Sequence, residues 1–330
     1  MLDLMNQEDG TESILAMYNL RRLFTLRETV ETLGLAAPPS VRLVSPQAMS
    51  SLRRVGLLCG SFNPLTLAHT TLAEKAIENF GLDCVFFTLA KVTVDKEQVT
   101  GMSLEDRLLS LSLYTEQHAK VGVALVNRGL YFEQAQAFHS LFGDRTKLSF
   151  LIGMDKLLQI LDARYYTDRD AALRQLFGLA SLIVANRGDM DERTFSQLLA
   201  LPENQSFRHY VRFFILPASI TDLSATQVRH NLTVEQPISA YVPPEVEEFI
   251  TETRAYHPLL RCGDEQIDAY AIRQALLAPL YTKRSWAEQT VDFRRLLTCA
   301  LSSDTRGYAL RHTPDNKALV FLIRAFSLQL

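Results

Sequence analysis

The stretch Gly60-Ser61-Phe62-Asn63-Pro64-Leu65-Thr66-Leu67-Ala68-His69 decides the fold of this 330-residue chain. It follows the apolar run 55–59 and leads into residues 71–77, whose pattern is typical of a helix. The predicted order is therefore a buried strand, a tight glycine turn and a helix. The first N–H groups of a helix lack intrahelical partners and carry a partial positive charge, so they attract anions. A glycine turn, an asparagine and a histidine at this junction predict a bound phosphate.

Short apolar runs alternate with helical patterns between residues 54 and 216. The predicted strands are 55–59, 83–88, 121–126, 148–152, 181–185 and 211–216. The predicted helices between them are 71–80, 107–115, 132–141, 156–161 and 170–177. This alternation predicts an α/β fold, with a parallel sheet and helices on both faces. Since parallel strands end at one edge, Gly60, Gly153 and Asn186 are expected to line one cleft.

The two ends of the chain differ from this central part. Residues 1–50 are predicted to be a helical extension, with a helix over 11–33, and a linker around Pro38-Pro39. Residues 51–255 form the predicted central domain. Residues 256–330 are predicted to be a mainly helical C-terminal region, with helices over 264–278, 285–300 and 316–326.

Composition and charge exclude several classes of function. A net charge of −3 without a long basic run predicts no nucleic-acid partner and no membrane surface. The N-terminal residues include acids where a signal peptide carries its basic region, and four scattered cysteines include no C-x-x-C pair. These features predict a cytoplasmic protein with reduced thiols and no protein-held metal, and they leave a homo-oligomer open.

A set of motifs in one order resembles the nucleotidyltransferase superfamily and, within it, the nicotinate/nicotinamide mononucleotide adenylyltransferases. The motifs are G-S-F-N-P with T-x-x-H at 60–69, Gly153-Met154-Asp155, Val184-Ala185-Asn186-Arg187-Gly188, Ser224-Ala225-Thr226-Gln227-Val228-Arg229 and Tyr241-Val242-Pro243. The resemblance covers roughly residues 54–252 and implies a Rossmann-like sheet in a nucleotidyltransferase domain.

The resemblance also implies a reaction. It is transfer of the adenylyl group of ATP to nicotinamide or nicotinate mononucleotide in NAD biosynthesis, with release of pyrophosphate and with Mg²⁺ carried by the triphosphate. The alternatives are another adenylyl- or cytidylyltransferase, or a catalytically weak nucleotide-binding protein.

Carried onto this chain, the motifs imply an ATP site with two catalytic residues, His69 and Arg229. The implied ATP-binding residues are Gly60, Ser61, Phe62, His69, Gly153, Asp155, Arg187, Ser224, Thr226 and Arg229. His69 and the amides of Ser61 and Phe62 would donate to phosphates, and Arg229 would bind a phosphate with its fork of charged donors.

Each of these side chains has a structural alternative. His69 could cap its helix, and Asp155 could cap the next helix, either in place of binding a ribose hydroxyl or in addition to it. Ser224 could open an ordinary capped helix that carries an exposed Arg229. Arg187 could contact adenine or phosphate, or lie on the surface.

The mononucleotide site is less well marked than the ATP site. The predicted residues are Asn63, Lys96 and Tyr166. Tyr165 is a rival for stacking on the pyridine ring, and Lys91 is a rival for the phosphate. The family usually has a tryptophan after the G-x-D helix, but the only tryptophan here is Trp286.

Two further positions depart from the family pattern. Thr66 replaces the first of two motif histidines, which weakens one electrostatic contact, and Ala225 replaces a serine.

Overall fold

The computed structural model describes residues 7–45, 52–92, 101–186, 191–262 and 265–277. Its helices are α1 (Gln7–Thr32), α2 (Leu67–Phe80), α3 (Leu104–Glu116), α4 (Tyr131–Phe142), α5 (Met154–Leu161), α6 (Arg169–Leu179), α7 (Glu192–Ala200), α8 (Ala218–Thr221), α9 (Ala225–Thr233), α10 (Pro244–Thr253) and α11 (Ala269–Leu277). Its strands are β1 (Val41–Leu43), β2 (Arg54–Cys59), β3 (Cys84–Ala90), β4 (Val121–Val126), β5 (Lys147–Gly153), β6 (Ala180–Ala185), β7 (Val211–Phe214), β8 (Leu260–Cys262) and β9 (Glu265–Ile267).

Strands β1 to β7 form one sheet in the order β1-β4-β3-β2-β5-β6-β7. The pairs from β4 to β7 are all parallel, and β1 is antiparallel to β4. The chain moves outward from β2 in one direction through β3 and β4, and in the other through β5, β6 and β7. This reversal of strand order beside β2 is where open α/β sheets bind ligands. The predicted Rossmann-like α/β fold is confirmed.

Helices cover both faces of the sheet, because successive side chains of a strand point to opposite faces. On one face Leu58 of β2 packs in a core that includes side chains from α1, α2, α3, α9 and α10. On the other face Leu57 packs with side chains from α4, α5, α6 and α7. Two apolar cores therefore hold the carboxyl edge of the sheet rigidly. None of the described helices is both long enough and apolar enough to cross a bilayer.

The structure adds elements that sequence patterning missed. Strand β1 has only three residues and contributes an antiparallel edge to a sheet that was predicted to be parallel throughout. Helix α7 was not predicted either. A three-residue edge strand is too short to show a periodicity, so β1 depends on its pairing with β4.

The start of the C-terminal region corrects one prediction. The helix predicted over 264–278 begins only at Ala269, because residues 265–267 form β9, which pairs antiparallel with β8. Glu265 and Gln266 favour helix by intrinsic propensity, but backbone pairing with β8 overrides that preference. The helices predicted over 285–300 and 316–326 lie outside the described residues.

The N-terminal extension packs on the sheet domain. Leu23, Leu26 and Val30 of α1 are buried in the core that also contains residues of α3. The following linker is held by Asn127, whose Nδ2 donates to the carbonyl oxygens of Gly34 and Pro38 at 2.9 and 3.0 Å. The described part of residues 1–50 therefore shares one core with the sheet domain, while the domain boundaries themselves remain a prediction.

Candidate active site

The loop after β2 has a shape that its glycine and phenylalanine impose. Gly60 N–H donates to the carbonyl of Thr88 at 3.2 Å, which holds the loop to β3. A Cβ at Gly60 would lie 3.2 Å from the ring of Phe62, so a larger residue would require that ring to shift by a few tenths of an ångström. Phe62 itself has a positive φ of 42°, which costs free energy for a bulky residue. The surrounding packing holds this conformation, as is common at functional sites.

His69 is fixed by the start of α2. Thr66 is the N-cap residue, and its backbone N–H donates to Nδ1 of His69 at 3.1 Å. The ring therefore takes the part that Glu or Gln plays in a capping box. Since Nδ1 accepts, we assign the proton of the neutral ring to Nε2. His69 is not the N-cap residue, but its ring does take part in the cap, so the capping alternative is partly right.

Thr66 is fully buried, and its Oγ1 lies 2.8 Å from Nδ1 of His69. The threonine that replaces the first motif histidine thus orients the second.

The start of α9 meets the same loop. Ser224 is the N-cap residue, and its Oγ accepts from Gln227 N–H at 3.2 Å, as predicted. Arg229, one turn further on, donates from Nη1 to the carbonyl of Asn63 at 2.6 Å and from Nη2 to Thr226 Oγ1 at 3.2 Å. Arg229 therefore contacts residues 60–64, here called the glycine loop, although it lies 166 residues from Asn63 in the sequence. The alternative of an arginine without a tertiary role is wrong.

The G-x-D motif follows the strand next to β2. Gly153 ends β5 and is the N-cap residue of α5, and β5 pairs parallel with β2, so both strands end at one edge. Asp155 lies exposed in the first turn of α5. The alternative that Asp155 caps this helix is wrong, because the helix already begins at Met154. Its role as a ribose ligand remains a prediction.

Two predicted ligands, Lys96 and Arg187, lie outside the described residues. The residue before Arg187 is described: Asn186 accepts the backbone N–H of Leu216 on Oδ1 at 2.6 Å. This contact ties the end of β6 to the segment after β7.

Lys91, the alternative to Lys96 as the phosphate ligand, makes its hydrogen bonds at the end of α1. Its Nζ donates to the carbonyl of Leu33 at 2.9 Å and also to the carbonyl of Val30, near the end of α1. A cation at a helix C-terminus stabilises the unpaired carbonyls there. Lys91 therefore holds the N-terminal extension.

The two tyrosines after α5 differ in exposure. Tyr166 is half-buried and donates its hydroxyl to the carbonyl of Ile160 at 2.8 Å, and burial raises the pKa of this phenol. Tyr165 leaves 64% of its surface exposed. Since a ring that stacks on a ligand must offer an open face, Tyr165 is the better placed of the two.

Asn63 is buried, and its Oδ1 accepts a hydrogen bond from the hydroxyl of Tyr256. Burial raises the pKa of Tyr256, which keeps the phenol protonated as a donor. The side chain of Asn63 is thus held by the fold, and its role as a mononucleotide ligand remains a prediction. Sequence reasoning missed Tyr256, because nothing in its neighbourhood marks it as a partner of the loop.

A second residue that sequence reasoning missed is Arg107 in the first turn of α3. Its Nη1 donates to the carbonyl of Ser61 at 2.8 Å. The available signal was a run of three charged residues, 105–107, in a helix that is buried on nearly all sides. Charges that face a protein interior need partners there, and one of these partners is the glycine loop.

Comparisons with known proteins agree with this geometry. The model of the cytidylyltransferase-like family matches residues 57–231. A "probable nicotinate-nucleotide adenylyltransferase" of Trichlorobacter lovleyi is 30% identical over 239 residues, which cover 62% of this chain and all of that protein. A protein of the same description from a Synechococcus strain is 29% identical over 211 residues and is covered to 95%.

A solved structure was also compared. The nicotinic acid mononucleotide adenylyltransferase of Plasmodium falciparum, complexed with NaAD, overlaps 62% of this chain and 97% of its own, with 17% identity and a TM-score of 0.47.

The family match covers more than half of this chain; it begins in β2, which leads into the glycine loop, and ends in α9, which carries Arg229. The chain is thus a nucleotidyltransferase of the cytidylyltransferase-like family and belongs with the nicotinate-nucleotide adenylyltransferases.

Proposed function

We propose that this enzyme transfers the adenylyl group of ATP to nicotinate mononucleotide, giving the dinucleotide and pyrophosphate. The observation that carries the proposal is the hydrogen bond from Arg229 to the carbonyl of Asn63, at 2.6 Å. It brings a guanidinium against the loop that precedes His69, which supports the proposal that donors from two distant motifs serve one anion site.

In the proposed reaction, a phosphate oxygen of the mononucleotide attacks the α-phosphorus of ATP. A new P–O bond forms, the bond from the α-phosphorus to its bridging oxygen breaks, and pyrophosphate leaves with the electron pair. In such transfers the protein mainly positions the reactants and stabilises charge. We assign Nε2–H of His69 and the guanidinium of Arg229 to the phosphate oxygens on which charge develops.

Nicotinate is proposed as the base because the curated relatives carry that substrate in their names. Tyr165 is proposed to stack on the pyridine ring, since its ring is the exposed one of the pair. Asp155 is proposed as the ribose ligand, because it lies in the first turn after β5 at the ligand-binding edge.

Mg²⁺ is proposed to arrive with ATP as part of the substrate. Within the described ranges, no group of three His, Cys, Asp or Glu side chains comes together as a metal site. The donors found around the loop are instead cationic or N–H groups, which suit phosphate oxygens rather than a metal ion.

The reaction itself is tested by supplying the protein and Mg²⁺ with ATP or CTP and with either mononucleotide, and by following dinucleotide and pyrophosphate. The expected result is a dinucleotide from ATP, formed fastest with nicotinate mononucleotide. A product from CTP would indicate another transferase, and ATP binding without any dinucleotide would indicate a nucleotide-binding protein.

His69 is tested separately by the variant His69→Ala. Loss of a donor to the transition state lowers kcat by about 10²-fold or more. The matched control is His139→Ala, which removes a histidine that pairs with Asp144 at the surface and is expected to leave kcat unchanged. If the kcat of His69→Ala stays within about threefold of the wild type, the proposed site is wrong.

A further inference from the structure

The first turn of α3 sends three consecutive charged side chains to three different parts of the molecule. Glu105 accepts from Arg27 of α1 at 2.7 Å. Asp106 faces the C-terminal region, where it accepts from Arg273 of α11 at 2.6 and 2.8 Å. Arg107 faces the glycine loop. All three are buried, so their environments can be compared directly.

Arg107 does not receive a carboxylate from its own helix. Asp106 is fully engaged by α11, since Tyr270 and Gln274 also donate to it, each at 2.6 Å. Glu105 is engaged by Arg27. The protein acceptor that the structure gives Arg107 is a neutral carbonyl, that of Ser61. The cation therefore lies next to the glycine loop without a hydrogen-bonded counter-charge among the described residues.

This arrangement is unfavourable in the isolated protein. Arg107 is only 8% exposed, and its Nε is buried without a hydrogen-bond partner. Burial lowers the pKa of this guanidinium, yet arginine stays protonated under all ordinary conditions. A buried cation with a single neutral acceptor destabilises a fold unless an anion joins it. A bound phosphate beside the loop would be such an anion.

The hydrogen bond to Ser61 also determines where the loop can donate. The carbonyl of Ser61 and the N–H of Phe62 belong to one planar peptide, and in a trans peptide they point in opposite directions. Arg107 holds the carbonyl end, so the N–H of Phe62 faces away from Arg107. No acceptor among the described residues takes this N–H. The carbonyl of Asn63, two residues after Ser61, is held by Arg229, but its peptide ends on Pro64 and has no N–H to offer.

We propose that Arg107 is a positioning residue for the triphosphate: it aims the N–H of Phe62 at a phosphate oxygen and supplies buried positive charge that the nucleotide neutralises. The proposal rests on the phosphate site of the proposed function. It does not depend on which mononucleotide accepts the adenylyl group.

The test compares a phosphate-only ligand with a phosphate-free one. Inorganic tripolyphosphate and adenosine are titrated by calorimetry into the wild type, Arg107→Met and Arg107→Lys, and KM for ATP is measured in parallel. In Arg107→Met, tripolyphosphate is expected to bind at least about tenfold more weakly, because the Phe62 N–H is no longer held toward the phosphate and the buried positive charge is lost, while adenosine changes by less than about twofold. Arg107→Lys keeps a cation but not the forked guanidinium, so its affinity for tripolyphosphate is expected to lie between those of the wild type and Arg107→Met.

The matched control is Arg169→Met. Arg169 is another largely buried arginine that donates to backbone carbonyls, those of Leu161 and Glu203, away from the loop. Its variant is expected to keep the wild-type ratio of tripolyphosphate to adenosine affinity.

Three results are decisive. Equal tripolyphosphate affinity in Arg107→Met and the wild type overturns the role of Arg107. Equal weakening of both ligands also overturns it, because it indicates a general loss of structure. If tripolyphosphate binding depends on Arg107 but no dinucleotide forms, the proposed function fails and this inference stands.

Discussion

The contact of α3 with α11 and the contact of α3 with the glycine loop lie on neighbouring residues and are built in opposite ways. At α11, the buried carboxylate of Asp106 accepts from Arg273, Tyr270 and Gln274. At the loop, the buried cation of Arg107 has a single carbonyl acceptor among the residues that the structure describes. A region whose buried charge is fully paired is complete without a ligand, whereas in our proposal an anion completes the loop region.

The hydrogen-bond and charge partners of Asp106 also determine the direction of its pKa shift. Burial alone would raise it, but the charge of Arg273 and the hydrogen bonds from Arg273, Tyr270 and Gln274 outweigh burial and hold the pKa below its ordinary value. Because the folded-state pKa is lowered, this carboxylate stabilises the fold above its unfolded-state pKa. That stability is lost as the pH falls through the folded-state value.

The largest expected loss of stability comes from removing the arginine of the fully paired contact between α3 and α11. Arg273→Met leaves Asp106 buried without its counter-charge, which costs about 3–5 kcal/mol of unfolding free energy. Urea denaturation followed by circular dichroism measures the loss. The double variant Asp106→Leu, Arg273→Met removes both charges and is expected to recover most of it. An unchanged urea midpoint in Arg273→Met would show that this pair does not hold α11.

The start of α3 also shows how far sequence patterning reaches. The sequence Ser103-Leu104-Glu105-Asp106 is typical of a capping box, and Ser103 Oγ does accept from Asp106 N–H at 3.2 Å. In an ordinary box the acidic side chain would return to the N–H of Ser103. Here the hydroxyl of Tyr270 accepts that N–H at 2.8 Å and donates to Asp106 instead. Local sequence predicts the cap, but not a partner 167 residues away.

In the sheet and the site, too, local sequence patterns were predictable and long-range contacts were not. The buried strands were predictable because all-apolar runs such as 121–126 need no partner to be recognised. The glycine loop was predictable because its turn joins a strand to a helix. Arg107 and Tyr256 could not be predicted, since each meets the loop through tertiary packing that no local pattern encodes.

A smaller effect is expected where the C-terminal region meets the loop directly. Tyr256→Phe removes the hydroxyl that donates to Oδ1 of Asn63 and leaves a buried acceptor without this donor. The expected cost is about 1–3 kcal/mol of unfolding free energy, together with a higher KM for ATP because the loop is less well held. Tyr210→Phe, on a ring that stacks against Phe177 away from the loop, is the matched control for KM.

If Tyr256→Phe loses stability but keeps the wild-type KM, the contact with Asn63 belongs with the complete, ligand-independent region rather than with the loop.

The pH dependence of stability distinguishes His257, which can lose its charge, from Arg107, which cannot. Burial, with a smaller contribution from the charge of Arg254, lowers the pKa of His257 to about 4. Unlike Arg107, this side chain avoids an unpaired charge by staying neutral. The unfolded chain takes up the proton first as the pH falls below the ordinary value near 6.5, so stability is complete above about pH 7 and declines toward pH 4.

Allowing for its partial exposure, His257 accounts for a loss on the order of 1–2 kcal/mol across this range. Unfolding free energies measured between pH 7.5 and 4.5 are expected to slope less in His257→Leu than in the wild type. The control that keeps the slope is Leu259→Met, at an exposed position without a titratable group. Identical slopes in wild type and His257→Leu would contradict the assignment.

The smallest effect is expected at the third contact of α3, between Glu105 and Arg27. The guanidinium is 39% exposed and also pairs with Glu31, so water already reaches this ion pair. When Arg27→Met removes the cation, Glu105 gains access to solvent, and the cost stays below about 1 kcal/mol. Raising the salt concentration is expected to narrow the difference between wild type and variant, because exposed charges are screened. A loss as large as that of Arg273→Met, unaffected by salt, would place the contact with α1 among the fully buried pairs. Of the three contacts of α3, the one with the glycine loop would then alone have a buried charge, that of Arg107, without a counter-charge among the described residues.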